Sequence, residues 1–514
     1  MAQADLYSKG QIDTGFITSD GQTPWLKKIQ KKAPFAVDTA LVSPIGQAQL
    51  NSTGNVHAFP RKFDVCFGCR IQMSLPALTA AQLAVGSTTT YAYELTDRAD
   101  LTTDHYAVME EVRAGVSRSV MAGYWVRWVP AVGHAILTEV RFLIAGQPVT
   151  KLTGDLLNCL ESTIGKKGQK QMDMIGSFHS QEQAVLWASN AHKAYVDVPL
   201  WFTEDVSVAL ILAAVSLNTV TIEFDTRAIT DIVLTSNPDI NALNGAVALS
   251  NTSVGFKMIF RGAQVSAKER KVYMNHGQHT DVMMKDWQSH TFSSSDSVFN
   301  KAIPLVGPIS TILWNTQMQN NKTGKDWFNY SSYIPQDGTI GATSTSGSAG
   351  ETVPALTPMR DMTGQFALDQ LLVDAYTAMI TTESGLDRVG TEGIYDVSIV
   401  SKSGDIYGDW KLEANGNDRH QVMDSDYFRT CSYHDYGYAA PQTQIYMITF
   451  STDPFSTDYN GAMNVSKMDH VYLIGNVTTS LDSTNTIGAH IINVHGCGRN
   501  FLTYKHGGAG KTYQ

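Results

Sequence analysis

Two cysteines three positions apart, two histidines three positions apart and a glycine-rich run ending in Lys-Thr are the places where residue type and spacing could do chemistry. Cys66-Phe67-Gly68-Cys69 has the spacing of half a zinc site or of a redox dithiol. Zinc takes four ligands, and the five cysteines of the chain include no second such pair. Phe63, Val65 and Phe67 alternate as on a strand, which would turn Cys66 and Cys69 to opposite faces. They read as two ordinary thiols in or near a strand. His276-Gly277-Gln278-His279 could clip a metal on a helix, but no HExxH pattern or third ligand accompanies it. Two solvent-facing histidines on a helix are the expectation. The run from His506 to Thr512 resembles a phosphate-binding loop, yet Lys505 stands where the first glycine belongs, and only two residues follow Thr512. Without a following helix the anion site cannot be built, so a flexible glycine-rich tail is expected.

Glu110-Glu111 offers paired carboxylates, but glycoside hydrolysis needs two carboxyl groups about 5–10 Å apart across a cleft, which adjacency in sequence does not supply. No Gly-x-Ser-x-Gly nucleophile elbow is present. No catalytic residue, cofactor-binding residue or metal ligand is assigned, and a non-enzymatic chain without a cofactor is expected. Asn51, Asn251, Asn321, Asn329, Asn464 and Asn476 head Asn-x-Ser/Thr glycan-acceptor patterns. In a chain this rich in Asn, Ser and Thr, most of them are expected to be chance matches.

The elements that must position any such site read mainly as strands. Val140, Phe142 and Ile144 alternate with Arg141 and Leu143; Val196, Val198 and Leu200, Val220, Ile222 and Phe224, and Phe256, Met258 and Phe260 repeat the rule. Ile445 to Phe450 is apolar on both phases, a strand buried on both faces. Helical spacing is confined to Asp155–Ile164, Gln181–Asn190, Ser266–Gln288, which opens on a Ser266/Glu269 capping box, and Phe366–Ile380. Many short strands with few helices point to β-sandwiches. The chain has 514 residues, more than one core usually accommodates, and a polar stretch near 229–252 divides it into similar halves. Residues 339–358, rich in Gly, Ser and Thr, read as a long surface loop.

Composition narrows the function classes. With 38 Lys and Arg against 48 Asp and Glu, the net charge of −10 argues against direct nucleic-acid binding or docking on anionic lipid through a basic surface. Only 17% of residues are charged, which suits a protein with much of its surface in subunit contacts. The start lacks the apolar core of a signal peptide, and Val206–Leu217, the longest apolar stretch, is far shorter than the roughly 20 residues that span a bilayer. The five cysteines fit a reducing compartment without a disulfide framework.

From Tyr124 onward the residues resemble a known family. Val132, Gly133, His134, Ala135, Ile136, Val140, Ile144, Gly146, Gln147, Gly154 and Leu157 match a hallmark segment of the major capsid proteins of nucleocytoplasmic large DNA viruses. Residues 198–224 resemble the end of that family's first jelly roll, and Lys268-Glu269-Arg270 is placed like its acidic-basic run after the first strand of the second. Residues 299–314 with 327–331, and then 450–473 with Asn464, Ser466 and Asp469, complete five matches in the family's order.

The resemblance implies an all-β chain of two tandem eight-stranded jelly-roll β-sandwiches with short helices and long surface loops. The expected division is an N-terminal arm over 1–25, jelly roll 1 over 26–235, a linker over 236–252 and jelly roll 2 over 253–514, with 339–358 as a tower loop. It further implies a homotrimeric capsomer that tiles an icosahedral shell, assembled in the host cytoplasm. Neighbouring capsomers and minor capsid proteins are the implied partners. The arm with Lys27, Lys28, Lys31 and Lys32 would lie at the base, near those proteins or an internal viral membrane. Two other classes stay open at this point. One is a carbohydrate-binding or glycan-cleaving β-sandwich; the other is a minor capsid or spike protein.

Overall fold

The period-two runs become strands, and among the described residues sixteen of the twenty-one strands fall into two sets of eight, the other five being only two to four residues long. The computed structural model describes residues 34–78, 126–164, 174–177, 184, 187–235, 253–276, 280–323, 325–330, 405–441, 443–477 and 489–512. The first set is β1 (Phe35–Val42), β2 (Asn55–Ala58), β3 (Val65–Leu75), β4 (Leu137–Ile144), β5 (Gln147–Thr153), β6 (His192–Asp197), β7 (Val220–Thr226) and β8 (Gly255–Val265). The second is β9 (Thr280–Ser294), β10 (Val298–Ala302), β11 (Pro308–Met318), β12 (Tyr407–Ala414), β13 (Asn417–Asp424), β14 (Ile445–Thr449), β15 (Val471–Val477) and β16 (His490–Lys505). Hydrogen bonding orders the first set β1-β8-β3-β6 and β2-β7-β4-β5, and the second β9-β16-β11-β14 and β10-β15-β12-β13. Counted within its own set, each strand has the same neighbours in both sandwiches, with antiparallel pairing throughout. This is the eight-stranded, two-sheet jelly roll, present twice.

Side-chain alternation explains why these runs pair as they do. In β7, Val220, Ile222, Phe224 and Thr226 are buried while the residues between them are half-buried. The residues on both phases of β14 from Ile445 to Ile448 are buried, as their composition predicts. The interior of the second sandwich is filled by Phe299, Ile312, Trp314, Trp410, Tyr446 and Leu473, among others. A second, larger cluster fills the first sandwich and continues through Trp287, Leu313 and Met447 onto the outer face of β9-β16-β11-β14.

The first sandwich reaches past the segment expected to be a linker. Strand β8 lies between β1 and β3, so the eighth strand of the first jelly roll comes after residues 236–252, not before them. Periodicity cannot reveal this, because the pairing partner is set by distant chain. Helices α1 (Val132–Ile136) and α2 (Gly154–Thr163) belong to this sandwich, and α3 (Ala267–His276) connects the two. Ser266 caps α3 as its sequence predicts, with the Glu269 N–H donating to Ser266 Oγ at 3.3 Å. The helix ends at His276, however, and from Thr280 the chain is a fifteen-residue strand paired along its whole length with β16. That ladder overrides the local helical spacing expected to continue to Gln288. Lys268-Glu269-Arg270 therefore sits on the connecting helix, after the last strand of the first jelly roll.

The C-terminal run is not a loose tail. His506 and Gly507 adopt positive φ (52° and 79°), and residues 508–511 fold back as a strand on β16, with Lys505 opposite Gly508. Such a turn suits a two-residue hairpin. No helix among the described residues is long and apolar enough to cross a membrane. The arm 1–25, the lysine cluster, Glu110-Glu111, the loop 339–358 and the 366–380 helix lie outside the described residues, as does half of 181–190, of which 184, 187 and 188 are helical.

Candidate functional site

Among the described residues, a buried cluster of ionisable and hydrogen-bonding side chains lies where the two sandwiches meet. Helix α2 supplies one half. Thr153 caps it, its Oγ1 accepting from the Leu156 N–H at 3.2 Å, and Gly154 opens it. A Cβ on Gly154 would lie 2.1 Å from the Leu137 carbonyl oxygen, so this close approach of helix to strand requires glycine. Asp155 follows in the first turn, where the helix dipole favours a carboxylate, and Cys159 stands one turn later on the same side.

The outer face of β9-β16-β11-β14 supplies the other half. In register, Ser289 pairs with His495 and Thr291 with Asn493, while Leu313 and Asn315 of β11 lie opposite His495 and Asn493. His495 Nε2 is 2.9 Å from Asp155 Oδ2, and its Nδ1 is 2.8 Å from Ser289 Oγ. Asn315 Nδ2 donates to Asp155 Oδ2 at 2.7 Å and to Cys159 Sγ at 3.2 Å. Tyr330 Oη donates to Asp155 Oδ1 at 2.6 Å. Behind them Asn493 Nδ2 donates to Asn315 Oδ1 at 3.0 Å, and Thr291 Oγ1 to Asn493 Oδ1 at 2.9 Å.

These contacts set the charges. Burial pushes the Asp155 carboxyl up, but His495, with Tyr330 and Asn315, outweighs it and holds the group below its ordinary value. Burial, reinforced by the Asp155 charge, pushes the Cys159 thiol and the Tyr330 phenol well up, so both keep their protons. Ser289, His495 and Asp155 have the composition of a hydrolytic triad but not its arrangement. There the carboxylate holds Nδ1 and the serine faces Nε2, whereas here the two ring nitrogens have exchanged partners.

Other contacts along the seam repeat the polar theme. Lys285 of β9, only 3% exposed, pairs with Glu204 of the first sandwich and donates to the Phe455 carbonyl at 2.7 Å. Thr457 Oγ1 donates to Asp205 Oδ2 at 3.0 Å. The Trp327 indole N–H donates to the Asp231 carbonyl at 2.9 Å, and the Arg227 guanidinium lies 4.0 Å from the Trp327 ring centroid. Among the described residues strand β1 of the first sandwich is a sheet edge, and Phe35, Val37 and Leu41 on one of its faces are 59%, 52% and 56% exposed. An exposed apolar edge strand is a template for association.

The doubled strand order has counterparts among known proteins. The family described as "Major capsid protein N-terminus" matches residues 23–260, and "Large eukaryotic DNA virus major capsid protein" matches residues 264–498. The chain belongs to the large eukaryotic DNA virus major capsid protein family. The two matches meet within β8, the last strand of the first sandwich.

Relatives within this capsid family are distant in sequence. The "Major capsid protein" of Spodoptera frugiperda ascovirus 1a is 24% identical over 136 residues, covering 26% of this chain and 29% of that protein. The protein of the same description from Heliothis virescens ascovirus 3e is 26% identical over 137 residues, covering 26% and 30%. These matches thus span under a third of either relative's length. The fold match is far wider. A quasi-atomic model of the PBCV-1 virus capsid superposes with a TM-score of 0.62 at 14% identity, covering 96% of this chain and all of that one. The Faustovirus major capsid protein gives 0.60 at 12% identity, covering 97% and 96%.

Within the capsid fold, the residues singled out by spacing take structural places. Cys66 and Cys69 are both buried in the first core, not on opposite faces. The pairing of β8 with β3 shifts between Arg261 and Gly262, a bulge that skips Phe67 and restores both thiols to one side. Burial raises the Cys66 thiol to about 12, which makes it inert. His134, in the hallmark segment, is a core residue set edge-on to Phe328 at 6.3 Å, and burial lowers its pKa to about 4. Of the acceptor asparagines, Asn51, Asn464 and Asn476 are exposed, whereas Asn321 and Asn329 are buried and Asn251 lies outside the described residues. Asn321 Nδ2 donates to the Asn329 carbonyl at 3.3 Å, so a glycan at either would open the fold. His279 lies outside the described residues.

Proposed function

We propose that this chain is the repeating subunit of an icosahedral shell. It trimerises into a pseudo-hexagonal capsomer, and capsomers tile the facets through weak lateral contacts multiplied over the shell. One observation carries the reading: the same eight-strand order occurs twice in a single chain, so three chains supply six similar sandwiches. Closed symmetry among identical subunits then repeats one kind of contact, and repetition gives avidity without strong single interfaces. The open β1 edge, with Phe35, Val37 and Leu41, is the side assigned to subunit contact. Neighbouring capsomers and minor capsid proteins are the further partners of this reading, and an internal viral membrane lies beneath the base. Assembly takes place in the host cytoplasm. The net charge of −10 supports a shell protein that does not bind nucleic acid directly.

Light scattering on a sizing column tests it. Three chains of 56.2 kDa predict about 169 kDa, persisting on dilution. Val37→Asp with Leu41→Asp should release monomers that stay folded, with an unfolding temperature lower than the trimer's by the association that is lost. A monomeric parent at high concentration overturns the trimer. A trimer untouched by both substitutions overturns the β1 contact.

A further inference from the structure

We propose that Asp155, Cys159 and His495 hold one divalent transition-metal ion of the zinc class, clamped between the two jelly rolls. One oxygen, one sulfur and one ring nitrogen from these residues lie within 4.8 Å of one another. Tetrahedral zinc with such ligands separates them by about 3.3–3.8 Å. The Asp155–His495 pair, at 2.9 Å, must open slightly, and the Asp155–Cys159 pair, at 4.0 Å, must close slightly. Both adjustments are within the reach of side-chain rotation.

The surroundings have the form of a metal site's supporting shell. A ligating histidine usually has its other ring nitrogen fixed by a hydrogen bond, and a ligating carboxylate has its free oxygen hydrogen-bonded. Ser289 fixes His495 Nδ1 and so aims Nε2 into the cluster, while Tyr330 holds Asp155 Oδ1 and leaves Oδ2 facing it. The Cys159 sulfur accepts from Asn315 Nδ2 at 3.2 Å, but its own S–H has only distant acceptors, Asp155 at 4.0 Å and Tyr330 at 3.9 Å.

A fourth ligand is within reach. If the Asn315 amide turns over, Asn493 can turn with it and Thr291 can switch from donor to acceptor. The row Thr291–Asn493–Asn315 then keeps every hydrogen bond with its direction reversed. The reversal sets Asn315 Oδ1 against Asp155 and Cys159, which is repulsive unless a cation lies between them. Binding requires the thiolate and an unprotonated Nε2, so the Cys159 proton leaves to solvent, and His495 gives up the Nε2 proton that faces Asp155 and carries its proton on Nδ1, donating to Ser289 Oγ. The ligands are split between α2 and β16, so the ion would fix the two sandwiches relative to each other.

Cobalt(II) reads this out directly. The full chain, in a Cys431→Ser background because Cys431 is the exposed cysteine, is treated with chelator and titrated with Co²⁺. The expected result is one equivalent bound, with a thiolate-to-cobalt charge-transfer band that Zn²⁺ bleaches, and a thermal transition raised by several degrees. Cys159→Ser should abolish the band, and Ser289→Ala should weaken affinity about 10–100-fold. A folded parent chain that gives no thiolate band overturns the site, whether or not Cys159→Ser folds. A band that survives in folded Cys159→Ser overturns it as well.

Discussion

Sheets β1-β8-β3-β6 and β9-β16-β11-β14 share one strand order, yet their outer faces have opposite surroundings. The first turns Leu41, Lys257, Arg261 and the exposed Arg70–Asp197 pair outward. The second turns Leu313, Asn315, Asn493 and His495 outward in the same sense, but the first sandwich covers them. Strand order alone therefore does not determine which surfaces are buried. What changes with burial is the demand on polar groups. Arg70 and Asp197 are solvated and their pairing is worth little, about 0–1 kcal/mol. Asn315, Asn493 and His495 have lost water and must find partners, and they find them on α2 and among themselves.

The largest expected break in this comparison comes from acid. His57 and His134, both buried in the first sandwich, have pKa values lowered by burial to about 4. The unfolded chain binds protons near the ordinary histidine value of about 6.5, whereas the folded chain does so only near 4. Stability is therefore fully present above that ordinary value and falls as pH drops toward 4. The loss is on the order of 3 kcal/mol per histidine. His290 and His420 in the second sandwich are also lowered by burial, but they are only partly enclosed. Hydrogen exchange at pH 5 should show β2, β4 and β7 losing protection before β12 and β15. Equal loss in both sandwiches would remove the distinction.

Breaking the seam comes next. Lys285→Ala leaves Glu204 facing a buried void without its cation, a loss of about 3–5 kcal/mol where the pair is fully buried and less where water reaches Glu204. Denaturant unfolding should then separate into two transitions, because the contact that joins the sandwiches is weakened more than either core. A single transition at unchanged midpoint would show that the apolar part of the seam suffices.

Much of the fold was legible in local pattern, and the seam was not. Val220–Phe224 and Ile445–Thr449 follow from alternation, because a strand's two faces differ in burial within a few residues. Leu156, Leu157 and Leu160 likewise mark α2. The failures share a cause. Strand β9 reads locally as a continuation of α3 and is held as a strand by a ladder to residues 490–504. The bulge that turns Cys66 and Cys69 to one side is imposed by β8, and the placement of β8 with the first sandwich is set by β1 and β3. In the candidate site, Asp155 and Cys159 at i and i+4 were a readable signal. His495 lies 340 residues from Asp155, beyond any local pattern.

A pair of leucines that ends in the smallest expected effect sharpens the comparison between the two outer faces most directly. Leu313→Ala, on the covered face, should cost about 2–5 kcal/mol, since the cavity opens between two sandwiches that cannot both collapse into it. Leu41→Ala is also on an outer face, but its side chain is 56% exposed. In the monomer its effect should stay within about 0.5 kcal/mol. Urea midpoints of the two variants, measured at concentrations where the chain is monomeric, give the contrast. If Leu41→Ala approaches the cost of Leu313→Ala under those conditions, β1 is covered within its own chain. Its apolar face would then be unavailable to a second subunit.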